Sequence, residues 1–208
     1  MKLIPVTFKS AVTGWMKWRK KPMKSSKIQD CFDLLTANGV GISENFKEFL
    51  KKAGFFDLPA STKFHGAEAG GLYAHSLAVA ETLMVLTQRN QLEWERPGSP
   101  VVVGLFHDLC KLEAYEPVIT ERTKTVVKYG WQHRDGRDQL YTGHGDKSVL
   151  ILAPWMQLTE EEVACIRWHM GAFDDQEQWS HYTAAICRFP NVLWTHHADM
   201  IASHILQR

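Results

Sequence analysis

The sequence predicts an all-α fold: a helical bundle carrying one small β-hairpin or flap. Three observations lead there. Two long apolar stretches, 70–87 and 101–115, read as central helices. Helix start and stop signals recur, as with Ser43 ahead of a short amphipathic run and Gly54 behind it. Only 118–142 turns to the Thr, Val, Lys and Tyr composition that suits strands.

In chain order, 27–36 and 43–53 are expected as two short helices, with Ser43 as the N-cap and Gly54 as the stop. Pro59 makes 57–63 a loop. The helix over 70–87 is apolar on most sides, which suits a central position. A polar connection, 89–100, leads to the second central helix, 101–115. Its valine run also fits a strand, because a short apolar run has no diagnostic period. Asp135-Gly136 provides a turn signal within the hairpin at 118–142. Helices resume at 146–153, 159–168 and 182–208. Thr159-Glu160-Glu161-Glu162 has the form of a capping box, and its carboxylates suit the positive end of a helix dipole. There is no internal repeat and no low-complexity segment.

A chain of 208 residues can bury one core and is short for two. The expected division is an N-terminal helical extension, 1–58, packed on a core domain, 59–208. With 45% hydrophobic and 23% charged residues, the composition is that of a globular protein. A formal net charge of +1 argues against a general electrostatic attraction to nucleic acid, but leaves a small nucleotide open as substrate. The basic run Lys17, Arg19, Lys20, Lys21, Lys24 and Lys27 is interleaved with Trp15, Met16 and Trp18. It could meet phosphates, but the balanced charge favours a solvated arm or a segment packed through its tryptophans. No apolar stretch reaches the roughly 20 residues of a membrane helix. The first 27 residues, broken by Pro5, Thr7, Ser10 and Gly14, lack the apolar core of a secretory signal. The expectation is a cytoplasmic protein without a membrane partner. Cys31, Cys110, Cys165 and Cys187 are widely spaced, so they read as small buried hydrophobes rather than a disulfide framework or a thiol zinc site.

The chemistry concentrates at His107-Asp108, at the end of the run Val101-Val102-Val103-Gly104-Leu105-Phe106. An imidazole and a carboxylate buried side by side are costly unless something pairs with them, and a divalent metal is a natural partner. His75 lies upstream, and His144, His169 and Asp199 lie downstream. A single histidine in an apolar helix is more often a hydrogen-bonded core residue, and an isolated His-Asp pair is more often an ion pair. The ordered set shifts the balance. One metal would take His75, His107, Asp108 and Asp199; a second would take His144 and His169, with Asp108 bridging. Histidine also donates to phosphates, so His144 and His169 could contact substrate instead. Imidazole and carboxylate together suit zinc, iron, manganese, nickel or cobalt, with magnesium favoured as carboxylates accumulate.

The order His, His-Asp, His, His, Asp resembles the HD-domain metal-dependent phosphohydrolase superfamily. The words closest to it are His65-Gly66-Ala67-Glu68-Ala69-Gly70-Gly71-Leu72-Tyr73-Ala74-His75 and His107-Asp108-Leu109-Cys110-Lys111. They look like the HD catalytic domain of bacterial 3′-to-5′ exoribonucleases. Gly143-His144, Trp168-His169-Met170-Gly171 and the Asp199 region resemble that branch's later motifs, so the likeness runs from Lys63 to the C-terminus. The resemblance implies an HD-type helical bundle, one or two divalent ions, and a site role for Lys111 as a holder of phosphate charge. An exposed helix lysine is the plainer reading of Lys111. His65 could donate to a phosphate or simply stabilise its turn. His196 and His197 are expected to support the site or lie at the surface. Tyr129, Trp131 and His133 could stack a base, although such aromatics more often cover a core.

This chain departs from the branch in two ways. Met170 stands where the branch often has a second histidine, and methionine is a poor ligand for hard metals. The stretch 1–58 is too short and too helical to stand in for an RNA-binding OB-fold, which argues against processive RNA degradation. The expected activity is therefore hydrolysis of a phosphoester in a nucleotide or short oligonucleotide, with Asp108 and Lys111 as catalytic residues and His65 and Lys111 binding substrate. Nucleoside mono- or triphosphate hydrolysis, or a non-catalytic metal-stabilised nucleotide-binding module, are the alternatives. A di-iron oxygenase is a remote third.

Overall fold

The computed structural model describes residues 25–64, 66–123, 127–135, 143–173 and 176–207. In chain order the helices are α1 (Ser25–Ala37), α2 (Glu44–Ala53), α3 (Gly71–Asn90), α4 (Ser99–Phe106), α5 (His144–Leu152), α6 (Glu160–Arg167), α7 (Trp179–Arg188) and α8 (Asn191–Met200). Between α4 and α5 a short 3₁₀ turn, Leu109–Leu112, leads into an antiparallel hairpin of β1 (Tyr115–Arg122) and β2 (Val127–His133). A π-turn, Ile201–Ile205, extends α8. No helix among the described residues is long and apolar enough to cross a membrane.

Local chemistry explains most of the helix ends. Ser43 Oγ accepts from the Phe46 amide at 3.2 Å at the start of α2, and Gly54 closes that helix with a left-handed φ of 89°. At α6 the capping box is complete: Thr159 Oγ1 accepts from the Glu162 amide at 3.2 Å, and Glu162 Oε2 accepts from the Thr159 amide at 3.0 Å. Pro100 stands in the first turn of α4, where its missing N–H costs no helical bond.

A single apolar cluster runs from Cys31 in α1 to Ala202 after α8. The N-terminal stretch contributes Phe32, Phe46, Leu50, Phe55 and Phe56 to it, all buried. Phe46 meets Phe106 of α4 with ring centroids 5.4 Å apart, and Phe49 stacks on Trp155 at 4.7 Å. Helix α4 is buried along its whole length and lies against α3. The crossing is so close that a Cβ at Gly104 would come within 2.3 Å of the Ala80 Cα. Glycine is required there by space.

A polar knot ties the N-terminal ends of three helices. The carboxylate of Glu162, fully buried, takes a two-pronged bond from Arg96 (2.7 Å each) and one from Ser99 Oγ at 2.9 Å. Glu161 accepts from the Glu95 amide at 2.8 Å and from Asn191 Nδ2 at 2.8 Å. The starts of α4, α6 and α8 are thereby joined through charge-assisted bonds.

Three expectations are corrected. Helix 101–115 stops at Phe106: Asp108 leaves helical geometry (φ −106°, ψ 22°), and the chain tightens through a bond from the Lys111 amide to the Asp108 carbonyl at 3.0 Å. The hairpin starts earlier than 118, because Tyr115 is buried and pairs with His133. With β1 ending at Arg122 and β2 running from Val127 to His133, the Asp135-Gly136 signal follows β2 instead of joining the strands. Helix 182–208 is two helices. Phe189 is extended (φ −129°, ψ 88°), as the residue before a proline tends to be, and Pro190 starts α8. The basic run up to Lys24 lies outside the described residues.

The α3–α4 crossing generates a prediction. Gly104→Ala forces backbone against backbone, and overpacking of this kind costs about 2–3 kcal/mol. Thermal unfolding should show a clear fall in Tm; an unchanged Tm would mean that the two helices can part without cost.

Candidate metal centre

The site is assembled where α4 ends. His107 and Asp108 follow its last residue, His75 comes from the first turns of α3, and Asp199 from the last turn of α8. His169 sits in the turn after α6, and His144 opens α5. His75, His107, Asp108 and His169 are almost completely buried, with exposures of 0–3%. The side chain of Asp199 is 16% exposed and that of His144 is 44% exposed, so His144 forms the open edge.

Four of the predicted ligands, the histidines, converge on a fifth, Asp108. Its Oδ2 lies 3.5 Å from His75 Nε2 and 3.4 Å from His107 Nε2. Its Oδ1 lies 3.6 Å from His169 Nε2 and 3.9 Å from His144 Nε2. His75 Nε2 is 3.2 Å from both His107 Nε2 and Asp199 Oδ1. Two groups with metal-binding spacing follow directly, His75–His107–Asp199 and His107–Asp108–His169, each with ligand atoms within 4.8 Å of one another. A third group adds Cys110 to Asp108 and His144.

The backbone sets which ring nitrogen faces inward. His107 Nδ1–H donates to the Gly104 carbonyl at 2.9 Å, and His169 Nδ1–H donates to the Ile166 carbonyl at 2.7 Å. In the neutral rings the proton is on Nδ1, and the Nε2 lone pairs point into the cluster. Metal-binding histidines are oriented in this way. His169 Nε2 is buried without a hydrogen-bond partner, an orphan that a cation would satisfy. His196 Nδ1 donates to the His169 carbonyl at 2.8 Å, and Ser203 Oγ donates to Asp199 Oδ1 at 3.1 Å, so both brace ligands. The donor set is one that could hold a metal ion.

Charge inside the cluster is compensated. Burial pushes the Asp108 carboxyl up, but Lys111, with its Nζ 2.5 Å from Oδ2, and the imidazoles outweigh it and hold the group well below the usual carboxylate range. Burial also raises Asp199, yet the bond from His75 and the neighbouring imidazoles bring it below its ordinary value. His107 and His144 are shifted down, chiefly by burial. His169 is shifted up, because its contacts with Asp108 overcome its burial.

Lys111 is placed inside the site, its side chain only 10% exposed, and is no surface helix lysine. His65 lies outside the described residues. Trp131 is partly buried against the core, and His133, although exposed, stacks edge-on with Tyr115 at 5.0 Å. His197 is exposed. Three features escaped the sequence reading: Cys110, whose Sγ lies 3.9 Å from Asp108 Oδ1; Ser203; and Lys147, buried one turn after His144 and paired with Glu113 at 3.1 Å. Only spacing could have pointed to them, since Cys110 is two residues from Asp108 and Lys147 three from His144.

The raised His169 gives a pH prediction. A metal needs the unprotonated imidazole, and His169 keeps its proton to higher pH than an ordinary histidine. Metal affinity therefore weakens as pH falls through the neutral range. Zinc or manganese should bind more weakly at pH 6 than at pH 8 in titration calorimetry, by up to about a hundredfold for one displaced proton. Equal affinity at the two pH values would show that His169 does not ligate.

No family model, curated protein or solved structure matches this chain.

Proposed function

We propose that the protein is a metal-dependent phosphohydrolase of the HD type, acting on a phosphoester of a nucleotide or a short oligonucleotide. One observation carries the reading: inward-facing imidazole nitrogens converge on the two oxygens of a single buried aspartate, with a lysine against it and a second carboxylate beside His75. The motif resemblance points the same way. Bound divalent metal would supply Lewis acidity to a water and to the phosphate oxygens. His75, His107, Asp108 and Asp199 would hold one ion. His144 and His169 would hold a second, with Asp108 shared.

The chain's own groups account for the rest. Lys111 neutralises Asp108 and adds fixed positive charge beside the site, where phosphate charge grows in the transition state. The buried walls around His107 and His169 keep bulk water from the ligands, which strengthens every charge interaction there. His144, at the exposed edge, faces the side from which a substrate enters.

A second reading is a metal-stabilised nucleotide-binding module without turnover, favoured by the burial of four of the six ligands. Turnover separates the two. The purified chain, loaded in turn with Mn, Mg, Co, Ni, Zn and Fe, is assayed against mononucleotides, nucleoside triphosphates, cyclic nucleotides and short single-stranded oligonucleotides. Hydrolysis of at least one class supports the enzyme; binding with no hydrolysis supports the module.

Two variants then test the centre. Asp108→Ala should cut hydrolysis by about a thousandfold or more, since it removes the shared ligand. Its Tm must be recorded alongside, because metal binding is also folding energy. Near wild-type activity in the folded variant would displace Asp108 from the centre. His144→Ala and His169→Ala should each lower bound metal from about two ions toward one and slow turnover by orders of magnitude. Elemental analysis decides, and a single fully occupied site in the wild type and both variants, even in excess manganese, would defeat the two-metal reading.

A further inference from the structure

Resting on that metal reading, the geometry points to Cys110 as a thiolate ligand of the second ion, in a mixed sulfur, nitrogen and oxygen site with Asp108 and His144 that selects zinc-like over manganese-like metals. The three ligand atoms lie within 4.8 Å of one another, and Cys110 Sγ and His144 Nε2 are each 3.9 Å from the same oxygen, Asp108 Oδ1. Ligands held about 2.0–2.3 Å from a common zinc ion stand no more than about 4 Å apart, so the group closes on a metal with small side-chain shifts. The orphaned Nε2 of His169, 3.6 Å from that same oxygen, is poised as a fourth ligand.

The surroundings hold the sulfur in place. Ser148 Oγ accepts from the Cys110 amide at 3.0 Å and donates to the His144 carbonyl at 3.1 Å. One buried hydroxyl thus joins the backbones that carry the two ligands. The sulfur is shielded from solvent, with Cys110 4% exposed. On metal binding the S–H bond would break, its proton would leave to solvent, and the sulfur lone pair would bind the ion. Thiolate favours Zn²⁺, Co²⁺ or Cd²⁺ over Mn²⁺ and Mg²⁺. The neighbouring group, His75, His107 and Asp199, offers only nitrogen and oxygen. The two halves of the centre therefore differ in metal preference.

The test uses the full chain, stripped with a chelator and titrated with Co²⁺ alone and Zn²⁺ alone. The expected result is a near-ultraviolet thiolate-to-cobalt charge-transfer band. That band should vanish in Cys110→Ser and Cys110→Ala and persist in Cys31→Ser, Cys165→Ser and Cys187→Ser. One zinc equivalent should bind at least tenfold more weakly to Cys110→Ser, with manganese binding unchanged. X-ray absorption at the zinc edge of the wild type gives a readout that needs no variant: a sulfur scatterer at about 2.3 Å. Cobalt binding without a charge-transfer band, a band that survives both Cys110 substitutions, or zinc surrounded only by nitrogen and oxygen would overturn the thiolate site and leave the metal reading standing. A chain that binds no metal at all would overturn both.

Discussion

Asp108 is a carboxylate with 3% of its surface exposed, and the structure is arranged around making that tolerable. A buried charge without partners is among the most expensive features a fold can hold. Here Lys111 is drawn against one oxygen, and imidazoles surround both. The position favours cations, because α4 ends beside it and a helix C-terminus carries partial negative charge. Each neighbouring helix is placed so that one polar side chain reaches this point: α3 by His75, α8 by Asp199, α5 by His144 and the turn after α6 by His169. The apolar cluster sets those helices at the required distances, and the close passage at Gly104 lets α3 approach α4 near the site.

The two faces of Asp108 differ in what they meet. Oδ2 looks toward His75, His107 and Lys111; Oδ1 looks toward His144, His169 and Cys110. A shared carboxylate transmits any change on one face to the other, because both oxygens draw on one charge. The two halves of the centre are for that reason a coupled unit, although their ligands come from separate stretches of chain.

What could be read in the sequence follows the range of each interaction. The caps at Ser43, Gly54 and Thr159 were legible because a cap is decided within four residues. The six candidate ligands could be picked out because so many imidazoles and carboxylates in apolar contexts have few other uses. The end of α4 was not, since Asp108 turns out of the helix in answer to side chains far away in sequence. Nor was the hairpin turn: Asp135-Gly136 is a strong local signal, but the buried Tyr115 and its pairing with His133 set the register. The break at Pro190 was in plain sight and is a matter of proline's missing donor. Cys110 was hidden because a buried thiol in a core and a buried thiol beside a carboxylate look alike until the fold brings the carboxylate near.

Helix α4 is fastened by polar clusters at both ends. Ser99, at its first residue, bonds to Glu162, and His107, just beyond its last, faces the His/Asp cluster. The two are eight positions apart, about 12 Å along the axis, with only apolar residues and Gly104 between. An inserted or deleted residue in this span would turn one cluster by about 100° relative to the other. Neither cluster could then meet its partners without losing the other's. The segment therefore acts as a ruler. Its residue types can drift among apolar side chains of similar volume, whereas its length cannot, and insertions should be tolerated in the surrounding loops but not between Ser99 and His107.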